Sequence, residues 1–242
     1  LKLANVEAVP AIKFEKMAVL LRSLCENNIA LSKEDWDSYE ISWDFEQHPL
    51  VKRKELHSLE KCYLEWKTEC ENRFLKMKDN EEHINAVILK EYGLENEVAC
   101  EVSEKSISVH RIFDTKEDIP VSMDGSYYVR TKRDEIVSLI SYSVGCMFGR
   151  YSLDKNGIVN AGDSLNANEY VSFSVDKDNI IPICDDEYFK DDIVGRFVEF
   201  IKIVYGVDSL DDNLKFIANA LGGKGSPREI IRNYFVNDFY KE

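Results

Sequence analysis

The chain has 242 residues with a formal net charge of −14, and 44% of its residues are hydrophobic. This composition is typical of an ordinary soluble globular protein with a core of its own. The acidic balance excludes strong binding of nucleic acid by bulk electrostatics, because that affinity comes from neutralising phosphates, so only a local basic face could bind DNA.

The ends of the chain and its cysteines indicate a piece of a larger cytosolic protein. The chain begins at Leu1 and ends on Lys241-Glu242 after an unfinished helical pattern, so we expect an excised fragment or a processed piece. The alternative is a complete small protein that lacks only its Met. The six cysteines include no C-x-x-C pair and are expected to be free thiols in a reducing cytoplasm. No apolar run approaches the ~18 residues of a membrane helix, and no signal-peptide pattern opens the chain.

The first part of the chain is predicted to be helical. Apolar residues at helical spacing predict a helix from Pro10 to Asn28, and Ser32 is expected to cap a following helix. The segment from Trp36 to Leu50 is rich in aromatic residues, and His48-Pro49 ends any regular element there.

A long, strongly charged helix is predicted from Lys52 to Asp79. Its apolar residues recur every three or four positions, close to the spacing of a coiled-coil seam. Asn80 is expected to cap a second helix that ends at Gly93, so residues 52–93 predict an antiparallel helix pair, a candidate spacer arm. The seam is a candidate interaction surface and consists of Leu56, Leu59, Tyr63, Trp66, Phe74 and Met77.

Residues 94–130 change to short alternating patterns. Such alternation predicts short strands over Val98 to Val102, Ser106 to Ile112 and Tyr127 to Val129. A helix is then expected to begin at Thr131, since the acidic residues that follow suit the positive end of its dipole.

The C-terminal part combines an irregular stretch with further helices. Residues 157–182 are expected to be a long surface loop that holds two strand pieces, around Tyr170 to Val175 and Ile180 to Ile183. A helix is predicted from Asp185 to Tyr205. A strong start signal follows at Ser226, where Pro and Glu occupy the first and third helical positions.

The run from Ser141 to Gly157 has an unusual composition for the end of a helix. Gly145 and Gly149 each cost about 1 kcal/mol relative to Ala inside a helix, which indicates that a backbone or a bulky ring approaches closely. Arg150 and Asp154 bring charge into this otherwise apolar stretch.

Metal and phosphate chemistry find little support in the sequence. The four histidines show no metal-ligand spacing with each other or with cysteine, so no metal is assigned. The only glycine cluster, residues 222–225, follows a helix instead of a strand. It predicts a helix end that leads into the next helix start, with phosphate binding by backbone amides as the alternative.

Two groups of basic residues are candidates for DNA contact through phosphates. The alternative is ordinary solvated surface and, for Arg150, a salt bridge to Asp154 or a bond to a carbonyl group. The first group contains Arg130, Lys132 and Arg133, with Arg150 and Lys155; the second contains Lys224 and Arg228 at a helix N-terminus.

Several blocks of the sequence resemble, in the right order, the PglX family of adenine-specific DNA methyltransferases from bacterial BREX phage-defence systems. The resemblance covers most of the chain and implies the C-terminal part of such an enzyme, past its methyltransferase motifs. The blocks are Trp43-Asp44-Phe45 with His48-Pro49-Leu50, Tyr142 to Asp154, Ile181-Pro182, Phe197 to Phe200, and Asn219 to Glu229.

The resemblance implies that the complete protein methylates the exocyclic amine of adenine with S-adenosylmethionine bound in a catalytic part outside this chain. The five prolines are never adjacent, so the Asn/Asp-Pro-Pro-aromatic motif that grips the target amine is absent. We therefore assign no catalytic residue and expect no cofactor in this chain.

Two roles remain open at this point. The chain could help to recognise duplex DNA through the face from Arg130 to Lys155, with residues 52–93 as a spacer. Alternatively, it is a scaffold or plain spacer that docks on its own catalytic domain or on another BREX component and never contacts DNA. The predicted fold is a predominantly helical α+β protein. It has a helical region over 1–93 and a mixed region with a small sheet over 94–242, which carries the 141–157 segment.

Overall fold

The computed structural model describes residue 15 and residues 17–161 and 166–241. Within these ranges it contains seven α-helices and a two-stranded parallel sheet, which confirms the predicted, predominantly helical α+β class. None of the described helices is long and apolar enough to cross a membrane. The helices are α1 (Ala18–Trp36), α2 (Pro49–Lys52), α3 (Leu59–Tyr92), α4 (Lys132–Met147), α5 (Ile193–Tyr205), α6 (Leu210–Leu221) and α7 (Pro227–Asn237), and the strands are β1 (Arg111–Phe113) and β2 (Val129–Thr131).

Helix α3 runs without a break for 34 residues, so the predicted antiparallel pair within residues 52–93 is wrong. Asn80 is buried inside the helix, and its amide donates to the side chains of Asn27 and Asn28 in α1, at 2.7 Å each. A buried amide with two acceptors has no need to cap a helix. The antiparallel partner of α3 is instead α1. Arg73 precedes Asn80 in α3, yet its partner Glu34, at 3.0 Å, follows the partners of Asn80 in α1, so the two helices run in opposite directions.

Helix α1 begins at Ala18 and ends at Trp36, later than the predicted end at Asn28. Residues 10–14 and 16 of the predicted helix lie outside the described residues. Ser32 lies inside α1 and caps nothing, which corrects the predicted helix start. Asp35 anchors the last turn of α1 to the rest of the chain. It is buried, and its carboxylate contacts Arg73 at 3.5 Å and His110 Nδ1 at 2.7 Å. These partners come from distant parts of the chain, so local sequence could not reveal them.

The buried face of α3 organises the main core. It packs against α1, β1 and α6, while α4 packs against α5 and α6, and α7 packs against α5 and α6. A smaller core joins Phe74 and Met77 of α3 to Ile107, Val109 and Met123. The predicted division at residue 93 stays a prediction, and residues from both sides of it contribute to these cores.

The sheet is smaller than predicted. Strands β1 and β2 pair in parallel with Arg111 opposite Val129 and Phe113 opposite Thr131. The other predicted strands, over 98–102, 170–175 and 180–183, are irregular, and the one predicted from Ser106 begins only at Arg111. No described strand pairs with these segments, so they lack the ladder of hydrogen bonds that defines a strand.

The C-terminal helices follow local start and stop signals. Helix α5 begins at Ile193, later than the predicted Asp185, because Asp192 accepts from the backbone amides of Val194 and Gly195 at 3.0 and 3.1 Å. Helix α7 begins as predicted, with a capping box between Ser226 and Glu229. The six cysteines are free thiols, as predicted.

Candidate interaction surfaces

The turn after α4 is shaped by an aromatic ring, as its glycines indicate. A Cβ atom on Gly145 would lie 2.6 Å from Cδ2 of Tyr151, so only glycine admits the ring. Tyr151 stacks on Tyr142 with ring centroids 5.1 Å apart and meets Phe45 edge-on at 5.4 Å. Gly149 serves another purpose, because its φ of +77° ends the helix.

The segment after this turn folds back onto residues 37–48, which we call the aromatic loop. The Gly157 amide donates to the Glu46 carbonyl at 2.7 Å. Asp154 accepts from the Ser172 amide at 2.8 Å instead of pairing with Arg150. The exposed guanidinium of Arg150 lies 5.5 Å from the centroid of the neighbouring tyrosine ring, at position 151, so the salt bridge considered for Arg150 is absent.

Arg130, the first candidate for DNA contact, is mostly enclosed by its own chain. Its Nε donates to the fully buried carboxylate of Glu135, and its guanidinium lies 4.5 Å from the centroid of the Tyr39 ring. The same carboxylate accepts from Trp66 Nε1 at 2.9 Å. A charge compensated inside the protein contributes little to phosphate binding at the surface.

The other basic residues near α4 are also engaged. Lys132 Nζ lies 3.3 Å from the Asp114 carboxylate, and Lys155 Nζ lies 2.7 Å from that of Glu169. The guanidinium of Arg133 lies 5.9 Å from the centroid of a tyrosine ring in α7. Five predicted contacts thus fall around α4 and the turn after it, and Arg130, Lys132 and Lys155 each pair with a carboxylate of this chain.

Lys224 and Arg228 lie at the turn between α6 and α7. Both are exposed, and neither forms an ion pair with a described residue. The glycine cluster around Lys224 ends α6 and leads into α7, as predicted. The Glu229 carboxylate accepts from the Ser226 amide at 2.7 Å, so a carboxylate already occupies the position that a phosphate would need.

The predicted interaction seam lies inside the chain, which corrects its assignment as a docking surface. Its members are packed in the two cores, with only Leu56 half-buried. Helical spacing marked the buried face of α3 correctly, but the partner is the rest of this chain. The buried members are Leu59, Tyr63, Trp66, Phe74 and Met77.

A cavity that the sequence did not indicate lies between the aromatic loop, α4 and the end of α7. Its volume is about 520 Å³. Its walls include Glu40 and Ile41 from the loop, Ser141 from α4 and Phe239 after α7. Ile41 is 65% exposed, and Trp43, two positions further along the aromatic loop, is 92% exposed. Because the walls come from separate parts of the chain, no local motif could have revealed the cavity.

Comparison with known proteins supplies two relatives, and no family model matches the sequence. The chain is 37% identical over 248 residues to the adenine-specific methyltransferase PglX of Lacticaseibacillus casei (strain Zhang). This match covers 100% of the chain and 19% of that protein. The chain is also 33% identical over 252 residues to the adenine-specific methyltransferase BrxX of Escherichia coli O9:H4 (strain HS). This second match covers 98% of the chain and 20% of that protein. The chain thus spans about one fifth of the length of the curated relatives it matches.

Proposed function

Over its whole length the chain matches the C-terminal fifth of PglX-type adenine-specific methyltransferases, and from this premise we propose that it is the non-catalytic C-terminal module of such an enzyme. The resemblance predicted from the sequence is thereby confirmed. We further propose that the longer protein methylates adenine in host DNA for a BREX phage-defence system. In this proposal S-adenosylmethionine binds to a part of the protein outside this chain.

Within that enzyme, the module is proposed to be a scaffold that packs against other protein parts. The observation that carries this role is the pairing of its candidate DNA-binding cations with carboxylates of the same chain: Arg130 with Glu135, and Lys132 with Asp114. A net charge of −14 acts in the same direction, because it repels the phosphate backbone.

A titration of the chain with fluorescently labelled duplex DNA, followed by anisotropy at low and moderate salt, tests this role. We expect no binding at low salt. A second assay mixes the chain with a PglX enzyme that lacks the matching segment, and we expect the two to co-purify. DNA binding that weakens steeply with salt, together with no co-purification, would refute the scaffold.

DNA-target recognition is kept as the second candidate function because Lys224 and Arg228 are exposed and form no ion pair within the described part of the chain. In that case the double variant Lys224→Glu/Arg228→Glu abolishes the salt-sensitive binding or lowers its salt slope by about two. Lys215→Glu is the control, since Lys215 is exposed but already lies 3.2 Å from the Asp212 carboxylate.

A further inference from the structure

Two of the three tryptophans of this chain are exposed to solvent. Trp43 is 92% exposed and Trp36, the last residue of α1, is 53% exposed, whereas Trp66 is buried in the main core. The indole of Trp66 donates to Glu135 at 2.9 Å, but neither exposed indole has a hydrogen bond or a ring contact within the described part of the chain. Tryptophan is highly buried on average, so two exposed ones close together in sequence mark a candidate contact surface. With Ile41 between them, we call these three side chains the tryptophan surface.

The backbone beneath the tryptophan surface is held firmly in place. Tyr39, Ser42 and Phe45 of the aromatic loop are buried. The Ser42 amide donates to the Tyr39 carbonyl at 3.0 Å, and the Phe45 amide donates to the Ser42 carbonyl at 3.4 Å. Ile41 and Trp43 alternate with these buried residues along the chain. Because the loop is already ordered, a partner that covers the exposed side chains loses little binding energy to ordering them.

The charged groups around the tryptophan surface already pair with one another. Lys33 Nζ lies 2.6 Å from the Asp37 carboxylate and 2.5 Å from that of Asp44. Lys52 Nζ lies 3.9 Å from the Glu46 carboxylate. Aromatic rings bind single-stranded nucleic acid together with cations that hold the phosphates, and these cations are matched by carboxylates. The surroundings therefore favour a protein partner over a nucleic acid.

The length of the matched relatives indicates what covers the tryptophan surface. The chain spans about one fifth of each relative, so about four fifths of such an enzyme lie outside it. A partner in the same polypeptide has an effective concentration of about millimolar, which favours it over a second, free copy of the chain. Tryptophan suits such a contact, because it is enriched among the residues that carry most of the binding energy of protein interfaces.

We propose that the tryptophan surface docks on the methyltransferase part of the longer protein. The inference rests on the proposed scaffold function and names the surface through which the module docks. An indole ring has a large apolar body and a single N–H donor. The partner surface is therefore apolar, with a hydrogen-bond acceptor at its edge for Nε1 of Trp43.

Titration of the complete chain with a PglX enzyme that lacks the matching segment tests the proposal, once circular dichroism shows that the truncated enzyme is folded. Trp43→Ala should weaken the association at least about tenfold. Because this side chain is almost fully exposed, the variant should keep its fold, which thermal melting checks. Tyr188→Ala is the matched control, since Tyr188 is also an exposed aromatic residue, in the segment before α5, and should leave the association unchanged.

Fluorine NMR of the chain labelled with 5-fluorotryptophan reports on the same side chains directly. The three resonances are assigned with single Trp→Phe variants. Addition of the unlabelled truncated enzyme should shift the resonances of Trp36 and Trp43 and reduce their response to exchange of H₂O for D₂O. Trp66 is already buried and should respond little in either state. If Trp36 and Trp43 stay as sensitive to solvent in the complex as in the free chain, the proposal is overturned.

Measurements on the chain alone separate the other possible occupants. Sedimentation equilibrium detects self-association, and a dimer that dissociates in Trp43→Ala would assign the surface to a second copy of the chain. Quenching of the indole fluorescence by single-stranded oligodeoxythymidine, lost in Trp43→Ala, would assign it to nucleic acid. We expect neither result, and either one overturns the proposal.

Failure of the docking surface is distinguishable from failure of the scaffold role. If the unmodified chain does not associate with the folded truncated enzyme, the scaffold role is refuted and the docking surface with it. If the unmodified chain and the folded Trp43→Ala variant associate equally well, the scaffold role stands and only the docking surface is refuted.

Discussion

Gly145 and Tyr151 fix the shape of the turn that follows α4, and this pair gives the clearest prediction at the scale of single residues. Gly145→Ala would place a methyl group 2.6 Å from a ring carbon of Tyr151. Since that ring is wedged between two other aromatic side chains, it cannot move aside freely. We expect a loss of about 1–3 kcal/mol in the free energy of unfolding, measured by denaturant titration.

Gly195→Ala is the matched control for this experiment. Gly195 also lies inside a helix, but a Cβ atom there would make an ordinary contact 3.6 Å from Glu187 Oε1. Helix propensity then decides the outcome, and alanine should be neutral or stabilising by up to about 1 kcal/mol. If both variants lose the same stability, the ring contact is not the cause.

His48 is a second residue whose burial has a measurable consequence. Its Nδ1 accepts from the Leu50 amide at 3.3 Å, so Nε2 carries the proton and donates to Ser138 Oγ at 3.2 Å. Burial, assisted by Arg130 and Arg53, lowers the pKa of His48 from 6.5 to about 3. The ring therefore stays neutral in the folded protein at every pH of ordinary use.

The sign of the pH effect follows from this lowered pKa. Below pH ~6.5 the unfolded chain protonates His48 and the folded chain does not. The neutral His48 ring therefore makes its full contribution to the free energy of unfolding above pH ~6.5. That contribution falls as the pH drops towards 3, by up to about 1.4 kcal/mol per pH unit. His48→Asn can still accept from the Leu50 amide. Its unfolding free energy, measured by denaturant titration at several pH values, should depend less steeply on pH between 4 and 6, by the amount that corresponds to about one proton less taken up on unfolding. Parallel slopes for the two proteins would contradict the assignment.

At the scale of elements, Asp192 couples two helices. It caps α5 and also forms a two-pronged ion pair with Arg232 of α7, at 2.7 and 2.9 Å. Asp192→Asn keeps a capping oxygen but removes the charge that Arg232 needs. Because Asp192 is fully buried, we expect a loss of about 3 kcal/mol in unfolding free energy. The same change at the neighbouring Asp191 should cost less than about 0.5 kcal/mol, and an equal loss at both positions would deny the coupling.

The elements also show what local sequence can and cannot predict. Thr131 and Ser226 begin their helices as predicted, because a capping box is complete within four residues. Asn80 looks like the same kind of signal, yet its partners lie in α1, more than fifty positions away. The strand predicted from alternation over 98–102 is wrong for a related reason, since alternation predicts a buried side but not a hydrogen-bonded neighbour.

The candidate site was predicted less well than the fold, for the same physical reason. Basic residues could be found in the sequence, but the acids that neutralise Arg130 and Lys132 come into contact with them only in the folded chain. The acidic composition was the better guide to whether these basic residues are free to bind phosphate, since an acidic chain has carboxylates available for most of its cations. The cavity at Glu40 had no sequence signal at all, because its walls come from separate parts of the chain.

At the scale of the whole molecule, burial is unevenly distributed along the α1–α3 pair. All the buried residues of α3 lie between Leu59 and Asn80, and the only buried residue of α1 is Asp35. The distal ends of both helices, residues 18–28 and 81–92, therefore form an arm held by half-buried side chains. Few buried apolar contacts mean a low free energy of local opening.

Hydrogen exchange of the backbone amides tests this gradient within one continuous helix. We expect amides of residues 81–92 to exchange at least about tenfold faster than those of residues 62–80, because the arm can open without disturbing either core. The proximal half of α3 is the internal control, since both halves belong to the same unbroken helix. Equal protection in both halves would mean that a second surface covers residues 81–92 in solution. If the protection of residues 81–92 is lost on dilution, that surface belongs to another copy of the chain.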